Sequence, residues 1–577
     1  MAREARSPDS ADAATTTVQS AAKQVFGYRL RPSQEAAATA LVAGRDTLAV
    51  LPTGSGKSAI YQVAGIVLGG LTVVVSPLIA LERDQARALG SRTRPGGQPV
   101  KVVALNSTLR ARDRTAALAD LRSGAIDFVM LGPEQLSNEE THAALLATER
   151  PVGLFAVDEA HLVSEWGHDF RPDYLRIRDI VKALNRPPLV ALTATASQPT
   201  QADITRQLAM VDPAVVVADF DRPNIHLSVR RSHQHVPEEQ AVVDRTVEVI
   251  LAAETPAIVY ATSHARCEDI AQRLQRVAYR AEAYHAGLPG KRRSEIQDAF
   301  FAGRLDVIAA TSAFGMGIDK ADVRTVVHAG PPGSLDEYYQ EIGRAGRDGM
   351  PARAELVFDS RSLRIPRLFA SRPKLAADVV RPVVAALERL AARPPVTMAA
   401  LESASRQSRR ATDQVIDDMR ELGLVEVDGE VVRVRSSGVD GAATDAVVDE
   451  SRRRASILNS QVDTVRHYAE TIQCRRAELL AYFGEQISTP CGNCDNDRQH
   501  HRATRTEEHR PPPSHAADNG AEHRRALPMA GTTVQHQLWG HGTVLSADDH
   551  ELVVAFESVG YRHLTTAVLD TGLVTVG

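Results

Sequence analysis

Between residues 46 and 210, short runs of consecutive apolar residues alternate with stretches of helical periodicity. The runs are TLAVL (47–51), TVVVSP (72–77), KVVAL (101–105), LFAVDEAH (154–161) and LVALTATA (189–196). They are rich in β-branched residues and stop at Gly, Ser, Thr or acidic positions. A strand buried on both faces reads as such an unbroken run, so the pattern predicts a doubly wound parallel sheet. A second series, AIVYATS (257–263), VIAATSAFG (307–315), TVVHAGPP (325–332) and AELVF (354–358), starts the alternation afresh. The expected fold is α/β with two lobes and a cleft, ligands sitting at the carboxyl ends of the strands.

After residue 360 the pattern changes. Residues 375–435 read as two or three helices and then VEVDGEVVRV (425–434), a hairpin turning at Asp428-Gly429. Helices followed by a two-stranded wing outline a winged-helix module, with a plain helical connector as the alternative. The expected organisation is a disordered polar tail (1–20), a first lobe (21–214), a second lobe (215–360) and the winged-helix-like module (361–440). A helical, cysteine-bearing segment (450–498), a linker rich in His, Arg and Pro (499–530) and a small β-barrel (531–577) follow.

A chain of 577 residues is too long for one core and suggests roughly three to five domains. No run of 18 apolar residues occurs, so no membrane span is expected and the protein reads as cytoplasmic. The net charge of −5 rules out a polycation, which leaves a local basic groove as the route to nucleic acid. Of four cysteines, Cys474, Cys491 and Cys494 cluster, which in a cytosolic chain points to metal rather than disulfides. Cys267 stands apart as a small buried residue.

LPTGSGKS (51–58) follows a strand and precedes a helical pattern. Gly54 and Gly56 let backbone N–H groups close on phosphate oxygens, and the helix N-terminus adds its dipole. In such a loop, with Thr53 and Ser55 in its backbone, Lys57 reaches the β- and γ-phosphates of ATP while Ser58 holds Mg²⁺. The strict pattern has Gly where Leu51 stands, so the loop alone is open to a chance glycine-rich turn. Further along, Asp158-Glu159-Ala160-His161 ends an apolar strand, placing Asp158 to bind Mg²⁺ and Glu159 to polarise a water. Arg344 and Arg347 in QEIGRAGRDG (340–349) lie on one face of a helix or tight turn. In a two-lobed motor they would reach across the cleft and stabilise charge on a transferring phosphoryl group. The three elements in this order read as a phosphoryl-transfer motor.

These residues resemble the RecQ helicases of superfamily 2, whose lobes are RecA-like. The likeness runs over residues 26–358 and 474–497. Its signatures are FGYRLRPSQ (26–34), SPLIALERDQ (76–85), DEAHLVSEWGHDFRPDY (158–174), ALTATAS (191–197), DRPNI (221–225), YHAGL (284–288) and AFGMGIDKADVRTVVH (313–328), with QEIGRAGRDG. The resemblance implies that Gln34 hydrogen-bonds the adenine edge, that Tyr28 or Arg31 stacks on the base, and that Asp319 contacts the ribose. It implies that SEWGHDFRPDY is the aromatic-rich loop that senses single-stranded DNA, with Trp166, Phe170 and Arg171 offering stacking and cationic contacts. Thr193 and Thr195 are similar to the segment that couples hydrolysis to lobe movement.

In the family's zinc module a fourth cysteine stands three residues beyond Cys494, where this chain has Asp497. A Cys₃Asp zinc site is feasible, His500 or His501 can substitute, and a degenerate site without metal is the alternative. The winged-helix-like stretch precedes the cysteines rather than following them, so the family's strand-separating hairpin is not assignable; VEVDGEVVRV is a candidate. Residues 531–576 resemble the Tudor-like barrel of UvrD/PcrA-type helicases, which implies a protein partner such as RNA polymerase. Trp539 and Tyr561 are either partner anchors or barrel core.

Taken together, the resemblance implies an ATP-dependent 3′-to-5′ DNA helicase of repair and recombination, nucleoid-associated, acting on single-stranded and forked or junction DNA. The alternatives are a DNA translocase with weak unwinding and a non-enzymatic DNA-binding scaffold, against which Lys57 and Glu159 argue.

Overall fold

The computed structural model of the chain describes residues 9–576 apart from 78, 95, 107–108, 165, 167–171, 234, 316–319, 372–373, 429, 436–440, 488–489, 499–526, 548–550 and 570. The first lobe is built on seven strands: β1 (Thr47–Val50), β2 (Leu71–Val75), β3 (Val102–Leu105), β4 (Phe128–Leu131), β5 (Val152–Val157), β6 (Leu189–Thr193) and β7 (Ala214–Val217). Their order is β3-β4-β2-β5-β6-β1-β7, every pair parallel. Each of the five apolar runs forms a strand here. β4 carries the same signature, and β7 is an edge strand whose residues alternate between half-buried and exposed, so its pattern is weaker.

The second lobe carries β8 (Ile225–Arg231), β9 (Ala257–Ala261), β10 (Ala281–Tyr284), β11 (Val307–Ala310), β12 (Thr325–Ala329) and β13 (Ala352–Phe358). Its order is β10-β11-β9-β12-β13-β8, again all parallel. The two strands without an unbroken apolar run, β8 (IHLSVRR) and β10 (AEAY), are the two edges, where one side faces solvent.

Residues 9–20 are not a disordered tail. They belong to a helix, Asp9–Ala21, that continues through Ala22–Phe26. Ala14, Val18, Ala21, Ala22 and Val25 recur at helical spacing, and Val18 and Ala22 are fully buried in the core beneath β1 and the helix Pro32–Val42. The alanine- and threonine-rich composition conceals this narrow stripe.

The third module runs helix Ala377–Ala391, β14 (Val396–Thr397), helices Met398–Ser405 and Arg409–Glu421, then the hairpin β15 (Val425–Asp428) and β16 (Val431–Val434). The strands form an antiparallel sheet β14-β16-β15 over a separate apolar core, a winged-helix arrangement. Arg176 of the first lobe donates to the Val427 carbonyl at 2.7 Å, so the wing is held against the motor.

A 30-residue helix, Gly441–Glu470, leads to the helix Arg475–Tyr482 and the cysteine cluster. This segment lies along the edge of the second sheet: Val229 N–H donates to Asp495 at 3.0 Å, and Arg476 pairs with Asp221. The expected linker falls outside the described residues at 499–526, and Leu527 already packs on the C-terminal module. That module is a five-stranded antiparallel sheet, β17 (Thr533–His536), β18 (Gly540–Ala547), β19 (Glu551–Phe556), β20 (Gly560–Thr565) and β21 (Val574–Val576), in the order β20-β19-β18-β17-β21. One core of Val534, Val544, Leu552, Val554, Phe556 and Val574 fills it. No described helix is long and apolar enough to cross a membrane.

Candidate functional site

Strand β1 ends at Val50, and the chain turns through residues 51–57 into the helix Ser58–Leu68. Gly54 and Gly56 adopt φ of 76° and 78°, a left-handed backbone that an L side chain strains to reach. The loop is braced from behind by Gln34, whose Nε2 donates to the Ser55 and Gly56 carbonyls at 2.6 and 3.1 Å. Gln34 in turn accepts from the Arg31 backbone N–H at 2.8 Å, and Arg31 caps the helix Pro32–Val42. Tyr28 is 36% exposed and tilts against Phe26, its ring open to a ligand beside the loop. Lys57 Nζ donates to the Leu51 carbonyl at 3.3 Å, and the Ser58 hydroxyl accepts from Gln85 Nε2 at 3.0 Å. Gln85 also accepts from Tyr61 and so fixes the Ser58 side chain.

Asp158 and Glu159 follow β5. Glu159 takes a positive φ of 50°, and its N–H donates to the Asp158 carboxylate at 3.0 Å. Burial, with the Glu159 charge beside it, pushes the Asp158 carboxyl up to about 7, and the Lys57 ammonium opposes that rise. A buried carboxylate beside a second carboxylate suits a bound cation, whose charge would restore the ionised form. Glu159 Oε2 is buried without a hydrogen-bond partner among the described residues.

From Glu159 a chain of side chains crosses the cleft. The His161 ring nitrogen Nδ1 lies 3.4 Å from Glu159 and 3.0 Å from the Thr193 hydroxyl. Thr193 donates to the Thr195 carbonyl at 2.9 Å, and the Thr195 hydroxyl accepts from Gln340 Nε2 of the second lobe at 2.9 Å. Gln340 belongs to the helix Leu335–Ile342, and Arg344 and Arg347 stand in the turns after it. Arg347 reaches the phosphate loop: a methyl group at Gly54 would lie 3.4 Å from its Cδ. The Thr53 hydroxyl donates to the Gly343 carbonyl at 3.3 Å, which locks the two loops together. Arg344 points elsewhere, its guanidinium 3.2 Å from where a Gly315 side chain would begin, on the wall of a cavity of about 530 Å³ shared with His161, Gln340 and Gln461. Arg222 holds the arginine turn by donating to the carbonyls of Gly343, Ala345 and Gly346.

Trp166 is 5% exposed, its backbone N–H donating to Ser164 Oγ at 3.1 Å and its carbonyl accepting from Gln461. Its ring meets Tyr561 edge-on, centroids 5.5 Å apart. Phe170, Arg171 and Asp319 lie outside the described residues. Tyr561 is buried at this junction rather than offered to solvent, and Trp539 stacks on His536 over the core of the C-terminal sheet.

Cys474, Cys491, Cys494 and Asp497 bring one ligand atom each within 4.8 Å of one another. Backbone N–H groups of Cys491, Asn493 and Asp497 donate to the three sulfurs at 3.3 to 3.4 Å, which favours thiolates. Asp497 Oδ2 accepts from the Gly492 N–H at 2.9 Å, an orientation that turns the carboxylate toward the cluster. Three thiols and a carboxylate fit a tetrahedral zinc ion.

Gln85, His161 and Gln340 lie inside the motifs SPLIALERDQ, DEAH and QEIGRAGRDG, and only the fold shows what they touch. Gln461 and Tyr561 carried no local signal, because their partners stand far away in sequence.

Two parallel-sheet lobes with a phosphate loop in one and an arginine turn from the other define a nucleotide-driven motor. The DEAD/DEAH box helicase family matches residues 31–204, and the helicase conserved C-terminal domain matches 242–349. RecQ zinc-binding matches 434–498, and the PcrA/UvrD tudor domain matches 530–568. The chain is 31% identical over 480 residues to the probable ATP-dependent DNA helicase RecS of Bacillus subtilis (strain 168), covering 83% of this chain and 90% of RecS. It is 32% identical over 473 residues to the ATP-dependent DNA helicase RecQ of Pasteurella multocida (strain Pm70), covering 82% of this chain but only 60% of that protein. Among solved structures, the DNA-bound crystal structure of the DUF1998 helicase MrfA shares the fold at a TM-score of 0.51 and 18% identity, over 77% of this chain and 62% of that one. The chain belongs to the RecQ family of ATP-dependent DNA helicases within superfamily 2.

Proposed function

We propose that the protein hydrolyses ATP to move 3′-to-5′ along single-stranded DNA and separates the duplex ahead of it, acting on forked or junction DNA in repair and recombination, close to the nucleoid. In this reading Gln34, with Tyr28 and Arg31, receives the adenine, Asp319 the ribose, and residues 53–58 the phosphates. Ser58 and Asp158 would hold Mg²⁺, which would supply charge neutralisation at the phosphates. Glu159 accepts a proton from the attacking water at its carboxylate. Lys57 and Arg347 stabilise the charge that develops on the transferring group, and Arg344 assists from the cavity wall. DNA is sensed by the loop of Trp166, Phe170 and Arg171. Cys474, Cys491, Cys494 and Asp497 would hold a zinc ion, which would tie the 474–497 segment together.

The observation that supports the proposal is the hydrogen-bonded path His161–Thr193–Thr195–Gln340, which begins 3.4 Å from Glu159. It connects the group that handles water to the opposite lobe, so cleft closure and hydrolysis depend on one another. ATP turnover with and without single-stranded DNA tests it: strong stimulation in the wild type and loss of turnover in Glu159→Gln are expected. Absence of stimulation, with Glu159→Gln still active, would sink the motor reading.

A second reading, a translocase with weak unwinding recruited to a partner such as RNA polymerase through residues 531–577, is favoured by the wing. Its backbone is bonded to Arg176 rather than projecting as a free pin. Strand-displacement and streptavidin-displacement assays on one preparation separate the two, since a translocase of this kind displaces streptavidin while leaving duplex intact.

A further inference from the structure

The C-terminal sheet does not stand apart from the motor. Its β19–β20 turn is pressed on the long helix Gly441–Glu470, where Tyr561 N–H donates to Ser460 Oγ at 2.9 Å and Ser456 Oγ donates to the Val559 carbonyl at 3.1 Å. The contact is so close that residue 560 has to be glycine. A Cβ there would lie 2.1 Å from Ser460 Oγ and 3.0 Å from Ile457 Cα, and its φ of +77° disfavours any side chain.

The turn delivers one side chain into the heart of the protein. Tyr561 is 2% exposed, and its hydroxyl lies 3.0 Å from Ser197 Oγ, the last residue of the segment that begins at Thr193. Tyr482 of the helix Arg475–Tyr482 stands 3.2 Å from the same hydroxyl and bonds Asp336, one turn before Gln340 in the helix Leu335–Ile342. The Tyr561 ring packs edge-on against Trp166, and Gln461 of the long helix holds the Trp166 carbonyl. One residue of the appended sheet thus touches the first lobe's coupling segment, the base of the aromatic-rich loop and, through Tyr482, the second lobe. A buried phenol is costly unless its hydroxyl is bonded, so the two hydroxyl partners select tyrosine over phenylalanine here.

We infer that Tyr561 is a positioning residue for DNA-stimulated ATP hydrolysis, and that the C-terminal sheet works in cis as part of the motor. It keeps Trp166 and Ser197 in register with Tyr482 and Asp336, so that a displacement of the loop by DNA is passed to the Thr193–Gln340 path. This rests on the reading of residues 165–171 as the DNA-sensing loop.

The test uses the full chain in a Trp539→Phe background, which leaves Trp166 as the single tryptophan. Oligo(dT) is the probe, and two quantities are read: the ratio of DNA-stimulated to DNA-free ATP turnover, and Trp166 emission on adding DNA. Tyr561→Phe keeps the ring contact and loses the hydroxyl bonds, so the ratio should fall by roughly fivefold, the worth of one hydrogen bond. Tyr561→Ala should lower it further, shift Trp166 emission to the red before DNA is added, and leave the KM for ATP unmoved. A role in packing alone would lower thermal stability without moving the ratio in the isosteric Tyr561→Phe variant, and that result overturns the inference even if Tyr561→Ala fails to fold. A parent protein that DNA does not stimulate would overturn the loop reading and the inference together. A stimulated parent with both variants unchanged overturns the inference alone.

Discussion

Replacing Gln340 by alanine isolates one of the bonds that join the lobes. Its amide donates to the hydroxyl of Thr195, a side chain with no solvent exposure, at 2.9 Å. Removing one partner of a buried hydrogen bond costs about 1–3 kcal/mol, because the hydroxyl left behind cannot turn to water. At about 1.4 kcal/mol for each factor of ten, a working value of about 2 kcal/mol corresponds to a roughly thirtyfold slower step. The bond spans the cleft and touches no part of the phosphate loop, so the loss should fall on the closed, reacting state. The expected outcome is a kcat lower by roughly thirtyfold at saturating oligo(dT) with the KM for ATP within about twofold. Steady-state turnover over a range of ATP concentrations measures both. Thr195→Val should cost a similar amount, and the double variant little more than either, since the two act through one bond. A raised KM with unchanged kcat would mean that the bond serves nucleotide binding, and unchanged values of both would refute the coupling path.

Two further outcomes follow from the periphery. Purified protein should carry about one zinc per chain, which Cys491→Ser removes and Asp497→Ala strongly reduces; metal content in Asp497→Ala equal to wild type would remove Asp497 from the site. The docking of the C-terminal sheet should depend on pH through His467, which sits 3.5 Å from Glu478 and 3.6 Å from Glu551, with the His563 ring tilted over it, centroids 4.0 Å apart. Bonding to Glu478, with Glu551 and Glu470 adding to it, raises the His467 pKa above its ordinary value. A raised histidine stabilises the folded form fully below its unfolded value of about 6.5, and that contribution fades as pH climbs through the higher folded value. Thermal unfolding should therefore show wild-type stability falling relative to His467→Gln as pH rises from there, and identical pH slopes in the two would contradict it.

Most of the two lobes was legible in the chain, because buried parallel strands write themselves as unbroken apolar runs. Three edge strands show where that rule thins. The edges β7, β8 and β10 are half-buried and mix polar residues into the run. The helix Asp9–Ala21 was hidden for a related reason, since its buried stripe of alanines and Val18 contributes little to average hydrophobicity.

At the site the division has the same origin. Lys57, Ser58, Asp158 and Glu159 could be singled out in the chain because each stands within a short loop whose spacing is local. The cysteine cluster was readable because thiol spacing survives in sequence even where the fourth position has become Asp497. What only the tertiary structure decided is which distant residues meet. Arg347 packs on Gly54 while its neighbour Arg344 turns to the cavity wall, although both stand in one motif. The partnership of Gln340 with Thr195, and of Tyr561 with Trp166 and Ser197, joins segments that share no periodicity. The sequence by itself determined the chemistry, since catalytic residue types and their local spacing are written along the backbone. Packing decided which remote side chains meet across the lobes, because those contacts exist only where the folded chain brings them into hydrogen-bond range.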